Sequence, residues 1–345
     1  MKPADRLTNE ITLDPEGVQC FRQARLCEDL MTTVTPFPKR QCCAERRRRI
    51  DRATAASNCG GSFALLILWA SLFATTLAAF GKDFETVTFR APHLAGKEVP
   101  LSVILPAGYD ASEKRYPVLY LLHGYTAHYS DWVTNTHLRQ YARRYQEIIV
   151  MPEAGTSWYV NNYANPQLKW QDYSIYDVIP YVDQHYRTRA NRRGRALAGT
   201  SMGGYGALLL GLKYHATFAA AASLSGVVTT PQPSFVQYVT SKLDEQVIES
   251  DFGPFGSQAR DENDLFKLAR QVPPSEMPQL YLSIGTSDKY LGTNREFVKL
   301  LDSMGVDFRY RELPGGHDWH LWDAELEAVL AFQAAVIGAT AASKP

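Results

Sequence analysis

A serine held between two glycines is the residue most able to do chemistry in this 345-residue chain. Gly199-Thr200-Ser201-Met202-Gly203 follows a short apolar run ending at Ala198 and opens a helix-forming stretch at Met202. A strand, a tight turn and a helix in that order project a serine oxygen above the strand end. Gly199 and Gly203 leave no side chain where turn and helix close on one another. The bland alternative is a glycine-rich helix start packed against a sheet. A serine hydroxyl becomes a useful nucleophile only when a base removes its proton, and imidazole suits that task near neutrality. Eight histidines are available. His93, His123, His128 and His137 precede the serine. His185 lies on the helix leading to it, and His215 at the far end of the helix after it. His320 begins the last helix. His317 follows a late strand in Pro314-Gly315-Gly316-His317-Asp318-Trp319, where two glycines let a loop carry the ring over the strand ends.

A third group must orient the imidazole and stabilise its charged form. Asp288 stands directly after the strand-like run Leu280–Ile284 and gives the order Ser…Asp…His. Asp307, Glu312 and Asp264 are its rivals, and capping of the next helix is its alternative role. The negative oxygen formed on attack needs aimed donors. The N–H of Met202, at a helix N-terminus, is one. The N–H of Tyr125 is the candidate for the other, because Leu121-Leu122-His123-Gly124-Tyr125 ends an early strand and Gly124 lets the backbone turn inward. His123 itself reads as structural.

The elements that must position these groups alternate in type. Strands are expected at 84–90 and 99–105 as a hairpin, then at Val118–Leu122, Ile148–Met151, Ala196–Ala198, Phe218–Leu224, Leu280–Ile284 and Phe308–Leu313. Helices are expected over Tyr173–Tyr186, Met202–Tyr214, Thr293–Met304 with Thr293 as N-cap, and Leu321–Val336. This rhythm predicts an α/β fold: a mostly parallel sheet with helices on both faces. Thr230–Pro278 breaks the rhythm and reads as a short insertion before the Asp-bearing strand.

Apolar residues make up 45% of the chain and charged ones 21%, which excludes disorder as an account of the whole. Formal charge is zero, from 36 basic and 36 acidic side chains, so no chain-wide basic field marks a nucleic-acid partner. All five cysteines, Cys20, Cys27, Cys42, Cys43 and Cys59, lie in the first 60 residues. Disulfides, thiolate nucleophiles and cysteine-ligated metals are therefore excluded from the rest. No His-Glu-x-x-His, P-loop or dinucleotide fingerprint occurs, so no cofactor and no metal are expected. Ser62–Phe80 is uncharged, follows the run Arg46 to Arg49 and Arg52, and ends in small residues. It reads as a secretory signal or a membrane anchor. The expected organisation is a disordered leader over 1–61, a signal or anchor over 62–80 and a catalytic domain over 81–345, exported or membrane-anchored.

Four separated segments resemble one family. They are Tyr116 to Gly124, Gly199 to Ala207, Gly285-Thr286-Ser287-Asp288 with Asn294-Arg295-Glu296-Phe297, and Gly315 to Trp319. Residues from about 84 to 337 resemble the putative esterase family of the α/β hydrolases. That family includes esterase D and S-formylglutathione hydrolase, tributyrin esterases, feruloyl esterases and mycolyltransferases. The resemblance implies the α/β-hydrolase fold, a triad of Ser201, Asp288 and His317, and oxyanion donors at Tyr125 and Met202. Ser157-Trp158-Tyr159 is similar to a tributyrin-esterase loop near the acyl pocket, which makes Trp158 and Tyr159, with Trp319, expected substrate contacts. Thr200 and Tyr205 stand where S-formylglutathione hydrolases usually have histidine. The expected activity is hydrolysis of short-chain carboxylic esters through an acyl-enzyme on Ser201. Alternatives are a feruloyl or acetyl-xylan type esterase, S-formylglutathione hydrolase or an acyltransferase. The expected partner is a small-molecule or carbohydrate-linked ester.

Overall fold

The computed structural model describes residues 84–239 and 241–342, together with a two-residue strand, β1, at Val18–Gln19. The expected signal or anchor at 62–80 lies outside the described residues, as does all of the expected leader except that strand. The remaining strands are β2 (Phe84–Ala91), β3 (Lys97–Ile104), β4 (Val118–Leu122), β5 (Ile148–Pro152), β6 (Arg195–Thr200), β7 (Ala220–Leu224), β8 (Gln279–Gly285) and β9 (Phe308–Leu313). They form one sheet in the order β1-β9-β8-β7-β6-β4-β5-β3-β2. From β5 to β9 every neighbouring pair is parallel. The β2–β3 hairpin is antiparallel, with Phe84 opposite Ile104, and joins β5 through β3, again antiparallel. Strands β4, β5 and β7 are buried at every position, which is why β4 and β5 read as unbroken apolar runs and β7 as one broken only by Ser223.

Helices cover both faces. On one face lie α3 (170–185), α4 (Met202–Lys213) and α8 (Leu291–Ser303), packed through Val182, Leu208, Leu212, Phe297 and Leu301. The other face carries α1 (Asp131–Asn135), α2 (Leu138–Ala142) and α9 (Trp319–Ile337), packed through Trp132, Leu138, Leu326, Leu330 and Phe332. Helix α3 runs from Trp170–Asp172 through a wider, π-type stretch at Tyr173–Val178 into Ile179–His185. The expected apolar stripe of Ile175, Val178, Ile179 and Val182 is buried there. The alanines of β7 let α4 come close: a Cβ on Gly211 would lie 2.9 Å from that of Ala221.

Some boundaries differ from the sequence reading. Helix α8 begins at Leu291, with Tyr290 as the N-cap residue, not Thr293. The Thr293 hydroxyl instead donates to the Tyr290 carbonyl at 3.0 Å. Helix α9 starts at Trp319 because the Asp318 side chain caps it, accepting from Leu321 N–H at 3.1 Å. The insertion holds a 3₁₀ turn (Pro233–Tyr238), α5 (Lys242–Phe252), α6 (Gln258–Glu262) and α7 (Leu265–Gln271).

One buried carboxyl on this scaffold has a consequence for stability. Glu147 is 2% exposed, and Gln333 of α9 donates to both its oxygens at 3.2 and 3.4 Å. Burial pushes its pKa up to about 8, against the smaller opposing effect of Gln333. An unfolded Glu ionises near pH ~4.3. Between those values the native state binds the extra proton, so this group's contribution to stability falls as pH rises from about 5 to 8. Glu147→Gln removes that penalty. Thermal unfolding should show the variant gaining most over wild type at pH 8 and converging on it near pH 4; a gain that is equal at both pH values would contradict the assignment.

Candidate active site

Ser201 sits between β6 and α4 with φ +55° and ψ −116°, a strained conformation for a residue bearing a Cβ. Its surroundings hold it there. Ser201 N–H donates to Leu224 O at the end of β7 (2.9 Å), and Ser201 O accepts from Tyr205 N–H (3.0 Å) and Val227 N–H (3.3 Å). The glycines on either side are required by contact. A Cβ on Gly199 would lie 2.3 Å from Gly203 O, and one on Gly203 would lie 2.4 Å from Leu122 O and 2.6 Å from His123 O. Both expectations for these glycines therefore hold.

The structure brings Ser201, His317 and Asp288 together. His317 Nε2 lies 2.8 Å from Ser201 Oγ, and His317 Nδ1 lies 2.7 Å from Asp288 Oδ2. With Nδ1 protonated toward the carboxylate, Nε2 is left as an acceptor for the hydroxyl proton. The Asp288 side chain is fully buried, whereas that of His317 keeps 22% exposure, enough to meet a substrate. Asp288 Oδ1 also accepts from Tyr290 N–H at 2.9 Å, so both carboxylate oxygens are held, one by the imidazole and one by the residue that precedes α8. Burial would raise its pKa, but the hydrogen bond and charge of His317, helped by Tyr290 N–H, outweigh that and hold the carboxyl below its ordinary range. The rivals are occupied elsewhere or remote. Asp264 caps α7 through Phe266 N–H (2.8 Å), Glu312 pairs with Arg295 (2.6 Å), and Asp307 is exposed. The loop bearing His317 is tied down, since Ser287 N–H donates to Gly315 O at 2.9 Å.

Two N–H groups border the serine. The first intrahelical bond of α4 starts from Tyr205, so Met202 N–H precedes it as one of the unpaired amides of a helix start. The Gly124–Tyr125 peptide approaches from β4; a Cβ on Gly124 would lie 3.5 Å from that of Ser201. The carbonyl of this peptide accepts from His123 Nδ1 (2.9 Å) and from Ala127 N–H (3.1 Å). In a trans peptide the N–H points the opposite way. His123 is buried, and its Nε2 accepts from Ala154 N–H at 2.9 Å. It is thus a clamp on the loop, in line with its structural reading. Behind it, the Glu153 carboxylate accepts from Gly155 N–H at 2.8 Å and from Tyr129 N–H at 3.3 Å.

The expected substrate contacts divide. Tyr159 is fully buried, with its hydroxyl donating to His123 O at 3.0 Å and its ring against Gly206, so it offers no surface to a ligand. Trp319 packs at 5.3 Å against Trp132, on the face covered by α1 and α9. Trp158 lies 5.7 Å from the Tyr125 ring and 5.8 Å from Phe235, with only 4% exposure. The rings that flank His317 are Tyr290 and Trp322, each 5.1 Å away and edge-on. Sequence reasoning missed both. Tyr290 is two residues after Asp288, and Trp322 is one helical turn into α9. Their proximity to the motifs was the available signal.

Comparison with known proteins shows the family and the fold. Residues 93–332 match the family described as putative esterase. An acetyl esterase of Caldicellulosiruptor saccharolyticus is 26% identical over 218 residues, covering 62% of this chain and 82% of the relative. An esterase of Mycobacterium tuberculosis is 31% identical over 267 residues, 70% of this chain; the match spans only 58% of that longer relative. The Staphylococcus aureus fluorophosphonate-binding serine hydrolase F gives a TM-score of 0.65 at 25% identity, over 72% of this chain and 97% of that one. The sheet and its helices are those of the α/β-hydrolase fold, as expected.

The contacts of Gly203 are with main-chain atoms that cannot rotate away. Gly203→Ala should cost about 2 kcal/mol or more in unfolding free energy and lower turnover as well. Gly292→Ala is the control, because a Cβ there meets nothing within 4 Å and sits in α8. Chemical denaturation of both variants checks the pair, and equal stabilities would refute the close-approach argument.

Proposed function

The chain belongs to the putative esterase family and is a carboxylic ester hydrolase, and on that premise we propose that it works through an acyl-enzyme on Ser201. The observation that carries this reading is the single imidazole hydrogen-bonded to both Ser201 Oγ and Asp288. His317 Nε2 takes the hydroxyl proton as Oγ bonds to the carbonyl carbon. The carbonyl π pair moves to oxygen, where the N–H groups of Met202 and Tyr125 receive the negative charge. Collapse breaks the bond to the alcohol oxygen, which leaves with the proton from Nε2. Water then repeats the sequence on the acyl-enzyme, giving up its proton to Nε2 and releasing the acid and Ser201. Asp288 stays ionised throughout, because its carboxyl is held below the ordinary range, and it stabilises the imidazolium between the two transfers.

Ser201→Ala and His317→Ala should each lower kcat by about 10⁴-fold with the fold retained, and Asp288→Asn should cost nearly as much. The check is steady-state hydrolysis of p-nitrophenyl acetate beside circular dichroism. Retention of a tenth of wild-type turnover by Ser201→Ala would end this mechanism. A fluorophosphonate probe should label wild type and leave Ser201→Ala unlabelled.

Short acyl chains are the preferred substrates in this reading. It is supported by the crowding of Tyr125, Trp158, Phe235 and Tyr290 beside the triad, with ring centroids 5.7, 5.8 and 6.4 Å apart along that series. A narrow slot gains about 1 kcal/mol for each methylene that fits and rejects those that do not. Across p-nitrophenyl esters from acetate to palmitate, kcat/KM should peak at two to four carbons, on the order of one or two fitted methylenes. A maximum at octanoate or beyond would overturn the claim, and a higher value for methyl ferulate than for the butyrate would favour a feruloyl esterase.

A further inference from the structure

We propose that Asp244, on the insertion helix α5, is a positioning residue for the oxyanion donor at Tyr125 and acts through the Tyr125 phenol. The proposal rests on the reading of Ser201 as nucleophile and Tyr125 N–H as donor. It adds a role for the insertion in the chemistry, which nothing in the triad itself requires.

Tyr125 occupies a turn closed by the bond from Ala127 N–H to Gly124 O at 3.1 Å. Within that turn Thr126 has φ +62°, a strained value for a β-branched residue. Such a turn persists only when its surroundings over-determine it. From the carbonyl side of the Gly124–Tyr125 peptide, His123 Nδ1 and Ala127 N–H supply that restraint. On the other side of Tyr125 N–H, the restraint comes from 119 residues away. The Tyr125 hydroxyl donates to Asp244 Oδ1 at 3.1 Å.

Asp244 is itself held. Its second oxygen, Oδ2, accepts from the Ser241 hydroxyl at 2.7 Å, and Ser241 Oγ in turn accepts from Asp244 N–H at 3.1 Å. This reciprocal pair is the N-terminal cap of α5, so the carboxylate is fixed by the helix start and not by a free rotamer. The Tyr125 ring also meets Trp158 at 5.7 Å with a 30° tilt. Burial together with Asp244 pushes the phenol up to about 12, so it remains a proton donor over the working range. The donor peptide is therefore clamped at both ends, by His123 behind and by Asp244 in front.

An oxyanion donor acts on the transition state and hardly on the bound ester. Loosening it should therefore appear in kcat and leave KM in place. Full loss of one such donor costs about 10²–10³-fold, so a donor that is loosened and not removed should cost roughly tenfold. The test is a cycle of Asp244→Ala, Tyr125→Phe and the double variant on p-nitrophenyl acetate, with Asp244→Asn alongside. Each single change should lower kcat roughly tenfold with KM unchanged, and the double variant should be no worse than either, as expected for one shared contact. Asp244→Asn keeps an oxygen that accepts from the phenol and should retain most of the turnover. Wild-type kcat in Asp244→Ala, additive losses in the double variant, a loss confined to KM, or an Asn variant as damaged as Ala would each overturn the proposal. Should Asp244→Ala unfold, Tyr125→Phe still decides, since it removes one oxygen and nothing else. Complete fluorophosphonate labelling of every variant, and none of Ser201→Ala, keeps this outcome separate from failure of the esterase reading.

Discussion

Three backbones converge on Ser201 at distances that admit no side chain. The end of β4 presents the carbonyls of Leu122 and His123 to the α carbon of Gly203, and Gly199 faces the Gly203 carbonyl directly. The end of β7 takes the Ser201 N–H. Because those atoms belong to main chains in a close-packed sheet, they cannot move aside. The strained φ of Ser201 is held by these contacts, and the strain is what lifts Oγ out of the helix start and toward His317.

A second close approach sets the other half of the triad. Gly285 ends β8 with its α carbon against Gly315; a Cβ there would lie 2.4 Å from Gly315 O. The contact brings the loop carrying Asp288 against the loop carrying His317, and the bond from Ser287 N–H to Gly315 O locks them. Glycine thus acts here by permitting backbone contact. Two parallel strands, β6 and β8, deliver the serine and the carboxylate at the same end of the sheet. The histidine arrives after β9, on the loop that α9 then fixes through its Asp318 cap.

The insertion supplies the front of the site. Phe235 from its 3₁₀ turn and Asp244 from α5 reach Trp158 and Tyr125, which come from loops near β5 and β4. Its polar interior is tied in the same way: Arg260 is 6% exposed and donates to Gly253 O at 2.7 Å and Pro231 O at 3.0 Å. Within this segment, rich in proline and charge, the Arg260 guanidinium ties two backbone carbonyls together.

The elements that read clearly in sequence are those whose burial is one-dimensional. Strands β4 and β5 are buried on both faces, so each is a continuous apolar run, and α3 kept its stripe even through a π-type stretch. Ser201, Asp288 and His317 were legible because each lies directly after a strand with glycine beside it, a local signature of backbone meeting backbone. Short helices such as α1 and α2 carry too few residues for a period to show. Contacts between distant segments left no trace in the chain. Tyr159 reads as a ligand-facing aromatic, yet it is buried with its hydroxyl bonded to His123, while Trp319 packs on both Trp132 and Trp322. Tyr290 and Trp322 flank the imidazole. The sequence by itself determined the fold class and which serine, aspartate and histidine stand at the strand ends, since strand burial and glycine spacing are local. Only the tertiary structure decided which aromatic rings face the site and that Asp244 holds Tyr125. Those depend on which surfaces of separate elements meet, and the packing of the whole sheet settles that.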